Sequence, residues 1–134
     1  MFSIGKMDPK FIEAYEACRE IHHAVLDGIR PGADSQDLFM KTLPLAEQLG
    51  YKDSYLGPPR LQTRFIGHGI GLELNEPPFL ARGQSYPLEE GMTLAVEPKI
   101  VFPGEGAVGI ENTVVVTRNG YDLLTPLDQE IFEV

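Results

Sequence analysis

The sequence predicts an α+β fold in a single domain, on three observations. Apolar residues recur at three- and four-residue spacing only within the first fifty residues. From Phe65 onward the chain reads as strand and turn, rich in β-branched residues, with no helical period of useful length. Helices therefore come first and strands second, the order expected of α+β rather than of alternating α/β. At 134 residues, 43% hydrophobic and 23% charged, the chain is long enough to bury a core without staples, and its composition is that of a folded domain.

Asp8-Pro9 opens the first helix, a capping residue followed by proline at the first helical position. Phe11, Ala14, Tyr15, Cys18, Ile21, His22, Val25 and Ile29 form its apolar stripe. Gly28 and Pro31-Gly32 end it. His22 and His23 are adjacent, so they point in different directions and read as structural or solvated. Asp34 or Ser35 caps a second helix with Leu38, Phe39, Leu45, Ala46 and Leu49 inward and Gly50 as its stop. Pro44 lies inside that run and should kink or split it. Gly57-Pro58-Pro59 marks a loop. Thr93 to Phe102 and Ala107 to Thr117 read as strands. Asn119-Gly120 reads as a two-residue hairpin turn requiring positive φ, with Tyr121 to Thr125 returning.

Charge and cysteine content narrow the function. The balance is 11 Lys+Arg against 20 Asp+Glu, a net of −9. A surface this acidic disfavours nucleic acid or an anionic membrane as main partner. Grouped carboxylates do suit hard cations. The single cysteine, Cys18, forms no intrachain disulfide, which fits a reducing compartment. Met1 to Lys6 carries no secretory signal pattern and no stretch is long and apolar enough to span a membrane, so a cytoplasmic protein is expected.

The chemistry-bearing residues come from one register. If the strands flanking Pro103-Gly104-Glu105-Gly106 form a hairpin centred on Gly104, Leu94 faces Val114 and Ile100 faces Val108, which puts apolar pairs on one face. The same register sets Glu97 opposite Glu111 on the other face. Two opposed carboxylates are destabilising unless they share a proton or a cation. Small neighbours, Ala95, Gly109 and Thr113, leave space above them. Pro98 has no ladder N–H, so a bulge or edge is expected there. A metal clamp needs a nitrogen donor as well, and His68, between Gly67 and Gly69, is the candidate. The glycines are not a dinucleotide loop, because Asn75-Glu76-Pro77-Pro78 forbids the helix that must follow.

Three segments then carry a resemblance. Gly67-His68-Gly69-Ile70-Gly71-Leu72-Glu73-Leu74-Asn75-Glu76-Pro77-Pro78, Glu90-Gly91-Met92-Thr93-Leu94-Ala95-Val96-Glu97-Pro98 and Gly109-Ile110-Glu111-Asn112-Thr113-Val114 together resemble the pita-bread metallopeptidases. That family includes methionine aminopeptidases, Xaa-Pro aminopeptidases, prolidases and creatinases. The Leu-Glu-Leu-Asn-Glu-Pro wording is closer to the Xaa-Pro and prolidase branch. The resemblance implies a partial pita-bread fold, with two N-terminal helices followed by an antiparallel sheet. It implies metal ligation by His68, Glu97 and Glu111, with Glu97 also handling the proton of the attacking water. It further implies two divalent metals in the complete site, manganese, cobalt, zinc or iron, which activate water against a peptide.

Two positions depart from the family pattern. Asn75 stands where relatives often have a substrate-contacting histidine, so it is expected to donate a hydrogen bond without carrying charge. Gly109 stands where some relatives place an arginine. The family also has two aspartate ligands on strands preceding the first helix, and the second lies just before the segment matching Phe2 to Lys6. The expectation is therefore that residues 1–134 form the C-terminal portion of a catalytic domain. Such a chain should hold at most one metal ion, weakly, with little peptidase activity alone. Exposed apolar surface should drive it to a homodimer or larger assembly. The alternatives are a non-catalytic binding or assembly module that keeps the fold, and an enzyme acting on a non-peptide C–N bond.

Overall fold

The computed structural model describes all 134 residues. Helix α1 runs Pro9–Leu26, with Asp8 as its cap and the Asp8 carboxylate accepting from the Lys10 N–H at 2.9 Å. Its buried face includes Ala14, Cys18, Ile21, His22 and Val25, the expected stripe. Asp34, not Ser35, caps the next helix, accepting from the N–H groups of Gln36 and Asp37. The expected second helix arrives as two, α2 (Ser35–Met40) and α3 (Thr42–Gln48). The division at Lys41 places Pro44 in the first turn of α3, where its missing N–H has no partner to lose.

The strands are β1 (Phe2–Ser3), β2 (Phe65–Gly69), β3 (Glu76–Ala81), β4 (Thr93–Val96), β5 (Lys99–Phe102), β6 (Gly106–Gly109), β7 (Asn112–Thr117), β8 (Gly120–Leu123) and β9 (Phe132–Glu133). The main sheet has the order β3-β2-β4-β7-β8, all antiparallel. β5 and β6 form a separate hairpin, and β1 pairs in parallel with β9. α1 packs over β4, β5 and β6. Ile21, Ile66, Leu94, Val96, Ile100, Val114 and Val116 are buried in one continuous core. No helix is long and apolar enough to cross a membrane.

The register centred on Gly104 holds on both sides of the site: Leu94 pairs with Val114 and Ile100 with Val108. The expected long strands are nevertheless broken between, at Glu97-Pro98 and Ile110-Glu111. Pro98 cannot donate to the ladder, and a Cβ on Gly109 would lie 2.9 Å from the Pro98 carbonyl. The chain therefore leaves the main sheet for the β5–β6 hairpin at Glu97 and returns to it at Glu111. Two expectations need correction at the far hairpin. Thr117 pairs with Gly120, so the turn is Arg118-Asn119, and neither Asn119 nor Gly120 takes a positive φ. The return strand is Gly120–Leu123 rather than Tyr121–Thr125. Burial sets this register, because it keeps half-buried Tyr121 against buried Val116.

Candidate metal centre

His68 sits in the middle of β2, paired with Phe79 on one side and Ala95 on the other. Its flanking glycines are a packing requirement. A Cβ on Gly67 would lie 2.5 Å from the Ala95 carbonyl oxygen, and one on Gly69 2.5 Å from that of Pro77. Only glycine admits such close strands. The His68 ring is buried at 5% exposure. Phe65 meets it edge to face, with centroids 5.7 Å apart. Nδ1 lies 2.9 Å from the Gly69 carbonyl oxygen. A carbonyl only accepts, so Nδ1 carries a hydrogen in that bond and the neutral ring has its lone pair at Nε2.

That lone pair faces Glu97. Nε2 and Glu97 Oε1 are 3.6 Å apart. Two electron-rich atoms at that separation repel unless a proton or a metal ion joins them. The second oxygen of Glu97, Oε2, accepts from Lys99 Nζ at 2.6 Å. The Glu97 N–H donates to the Ile66 carbonyl at 2.7 Å, which fixes the backbone at the strand break. His68 and Glu97 thus converge, with an ammonium on the outer side of the carboxylate.

The other expected residues are not drawn in. Glu111 is exposed at the opposite break, and its side chain makes no hydrogen bond or ion pair. No group of three His, Cys, Asp or Glu side chains is close enough to hold a metal ion. Asn75 is exposed beside the terminal Gly69–Glu76 pair of β2 and β3. The expected space above the carboxylates is also smaller than foreseen. Ala95 is fully buried, and the Pro98 carbonyl occupies the room at Gly109.

Lys99 escaped the sequence reading. The available signal was its position two residues beyond Glu97, the same-face spacing of an extended chain. The Gly69 carbonyl has no such signal, since any backbone offers one. The donor chemistry of His68 and Glu97 does fit a divalent ion: an oriented imidazole with a free Nε2 beside a carboxylate.

The profile of metallopeptidase family M24 matches residues 1–118. The chain belongs to that family. It is 31% identical over 128 residues to the Xaa-Pro dipeptidase of Pyrococcus furiosus, a match covering 96% of this chain and 35% of that protein. Among solved structures, the X-Pro aminopeptidase of Thermotoga maritima MSB8 superposes with TM-score 0.89 at 28% identity, covering 99% of this chain and 36% of that one. The dipeptidase PepE of Mycobacterium ulcerans gives TM-score 0.87 at 31% identity, covering 99% and 34%. The fold is thus the pita-bread fold in part, and the chain spans about a third of the length of the relatives it matches. M24 enzymes are metal-dependent peptidases. None of the proteins named here favours the reading as a non-catalytic assembly module.

Proposed function

We propose that this chain contributes the histidine and two glutamate ligands of an Xaa-Pro-type metallopeptidase centre, with His68, Glu97 and Glu111 as its metal-binding residues. The observation that carries this reading is the His68–Glu97 pair: a tautomer fixed through Nδ1, with Nε2 turned to a carboxylate oxygen 3.6 Å away. A bound divalent ion would polarise the scissile carbonyl and lower the pKa of attacking water. Glu97 would serve as the acceptor for the proton of the attacking water. Lys99 orients Glu97 through its other oxygen. Asn75, on the exposed loop beside His68, donates a hydrogen bond to the substrate.

Two converging donors are fewer than a tightly held divalent ion requires. The chain alone is therefore expected to bind a single ion weakly and to turn over an Xaa-Pro dipeptide slowly or not at all. Titration with manganese, read by its electron paramagnetic resonance, tests this. His68→Ala should abolish the bound signal. Lys99→Met should tighten binding roughly tenfold, because the ammonium no longer competes for Glu97 or repels the ion. Two tight ions, or binding unaffected by His68→Ala, would refute the assignment.

Self-association belongs to the same proposal. Phe2, Ile4 and Val134 are 75%, 98% and 75% exposed at the β1–β9 pair. A cluster of this kind is suited to burial against a second copy. Sedimentation should show a dimer that the double variant Phe2→Ser/Ile4→Ser converts to monomer. A wild-type chain that stays monomeric throughout the concentration range removes this part of the reading.

A further inference from the structure

A second feature of the molecule is a cleft away from the metal centre. It has a volume of about 950 Å³, lies between α3 and the loop leading to β2, and is lined by none of His68, Glu97 or Glu111. Its charge is opposite to that of the chain. Four of the eleven Lys and Arg residues, Lys52, Arg60, Arg64 and Arg82, line it against two carboxylates, Glu47 and Asp53. Lys52 is committed to Glu47 at 2.6 Å. The three arginines make no ion pair and no side-chain hydrogen bond, although the protein carries nine more acids than bases.

Two of these arginines flank the end of the β2–β3 ladder. Phe65 pairs with Ala81 at the end of the β2–β3 ladder, and Arg64 and Arg82 are the next residue on each chain segment beyond that last pair, both lining the cleft. Like charges gathered at one end of a ladder repel. An oxyanion between them reverses the sign, because a guanidinium presents paired N–H donors to phosphate or carboxylate. The third, Arg60, is held at φ 74 in a loop closed by the Thr63 N–H on the Leu56 carbonyl at 2.8 Å. The cleft wall beneath is apolar, with Phe39 and Leu56 buried. Tyr55 lines the cleft as well, and its hydroxyl is buried without a hydrogen-bond partner. The neighbouring Thr42 hydroxyl donates instead to the Phe39 carbonyl at 2.7 Å.

We propose that this cleft is a binding site, separate from the metal centre, for a small anion carrying an apolar body: a phosphate or carboxylate gripped by Arg64, Arg82 and Arg60, with its apolar part on the Phe39–Leu56 wall. A volume of this size suits a ligand of drug-like dimensions. The oxyanion supplies the charge that Arg64 and Arg82 lack, and the apolar part excludes water from the wall.

The test is an NMR titration of the ¹⁵N-labelled chain with phenyl phosphate, with orthophosphate, phenol and 3-phenylpropionate as parallel arms. Phenyl phosphate should saturate, shifting Arg64, Arg82 and Leu56 but not His68, and should bind at least tenfold more tightly than orthophosphate or phenol. Tighter binding of phenyl phosphate than of 3-phenylpropionate assigns a phosphate ligand, and the reverse order a carboxylate. The double variant Arg64→Gln/Arg82→Gln changes two exposed side chains and should weaken binding at least tenfold. Arg118→Gln, exposed and outside the cleft, should leave it unchanged. Shifts that never saturate, shifts centred on His68, or equal affinity in the double variant would overturn the proposal. The manganese titration is independent of all these outcomes.

Discussion

Replacing Gly67 with alanine is expected to destabilise the chain by about 3 kcal/mol or more. The new Cβ would lie 2.5 Å from the Ala95 carbonyl oxygen and 2.8 Å from Leu80 Cδ1. The first contact is backbone, within the ladder that pairs Gly67 with Val96. It is relieved only by separating β2 from β4, and that separation carries His68 away from Glu97. Gly69→Ala should behave similarly, because its contacts at 2.5 and 2.7 Å are the carbonyl oxygens of Pro77 and Glu76. Two other glycines provide the contrast. At Gly71 the contact is the Glu76 carboxylate, the end of a side chain that can swing aside, and at Gly120 nothing lies within 4 Å. Alanine at Gly120 should change stability by no more than about 0.5 kcal/mol. Urea unfolding midpoints for the four variants check the ranking, and a Gly67→Ala chain as stable as Gly120→Ala would contradict the strand spacing.

The glycines show what a sequence discloses and what it withholds. Gly67-His68-Gly69 announces a close backbone approach, because a histidine held between two residues without side chains has little other use in a strand. It does not say which strand approaches. The Gly104-centred register was readable for a different reason. Leu94, Val114, Ile100 and Val108 must share a buried face, and only one alignment lets them. The same alignment extrapolated across Glu97 and Glu111 described a continuous hairpin where the chain divides into two sheets. Proline forbids a ladder bond but does not specify how far the strands then diverge.

The candidate site was legible to the same degree. His68 and Glu97 meet across β2 and β4, which no local pattern pairs. Their meeting followed from resemblance, not from spacing. Lys99 on Glu97 was within reach of the period-two rule, but Pro98 between them made the rule hard to trust. The Asn119-Gly120 dipeptide points to a turn one residue away from the real one, Arg118-Asn119, because a dipeptide preference is worth less than the burial of the flanking strand. The distinction between His22 and His23 was legible, since only His22 falls on the apolar stripe of α1 with Cys18, Ile21 and Val25, and it is the one buried. What the stripe does not disclose is that the buried ring finds no hydrogen-bond partner there.

His22 is the one that enters, and it should make the fold acid-sensitive well before the carboxylates titrate. It is fully buried, and neither ring nitrogen has a hydrogen-bond partner. Burial pushes its pKa down from 6.5 to about 4, and the neighbouring His23 charge adds to the effect. Above pH 6.5 the ring is neutral in both states, so its folded-state depression has no effect on stability. Between pH 6.5 and about 4 the unfolded chain binds a proton that the folded chain excludes. Stability therefore falls with falling pH through this window, by about 3 kcal/mol at its lower end. Asp34 contributes in a lower window. Its carboxyl is held below the ordinary 3.8, chiefly by the Ser85 hydroxyl, so its contribution is lost only as pH falls beneath that value. His22→Leu should flatten the slope between pH 6.5 and 4.5. It should also raise stability at neutral pH by about 1 to 3 kcal/mol, because it removes two buried polar atoms that bond to nothing. Urea unfolding at pH 7.5, 6.0 and 4.5 separates the two effects. A variant that keeps the wild-type slope would show that His22 reaches a proton in the folded state, and would place the acid sensitivity on other groups.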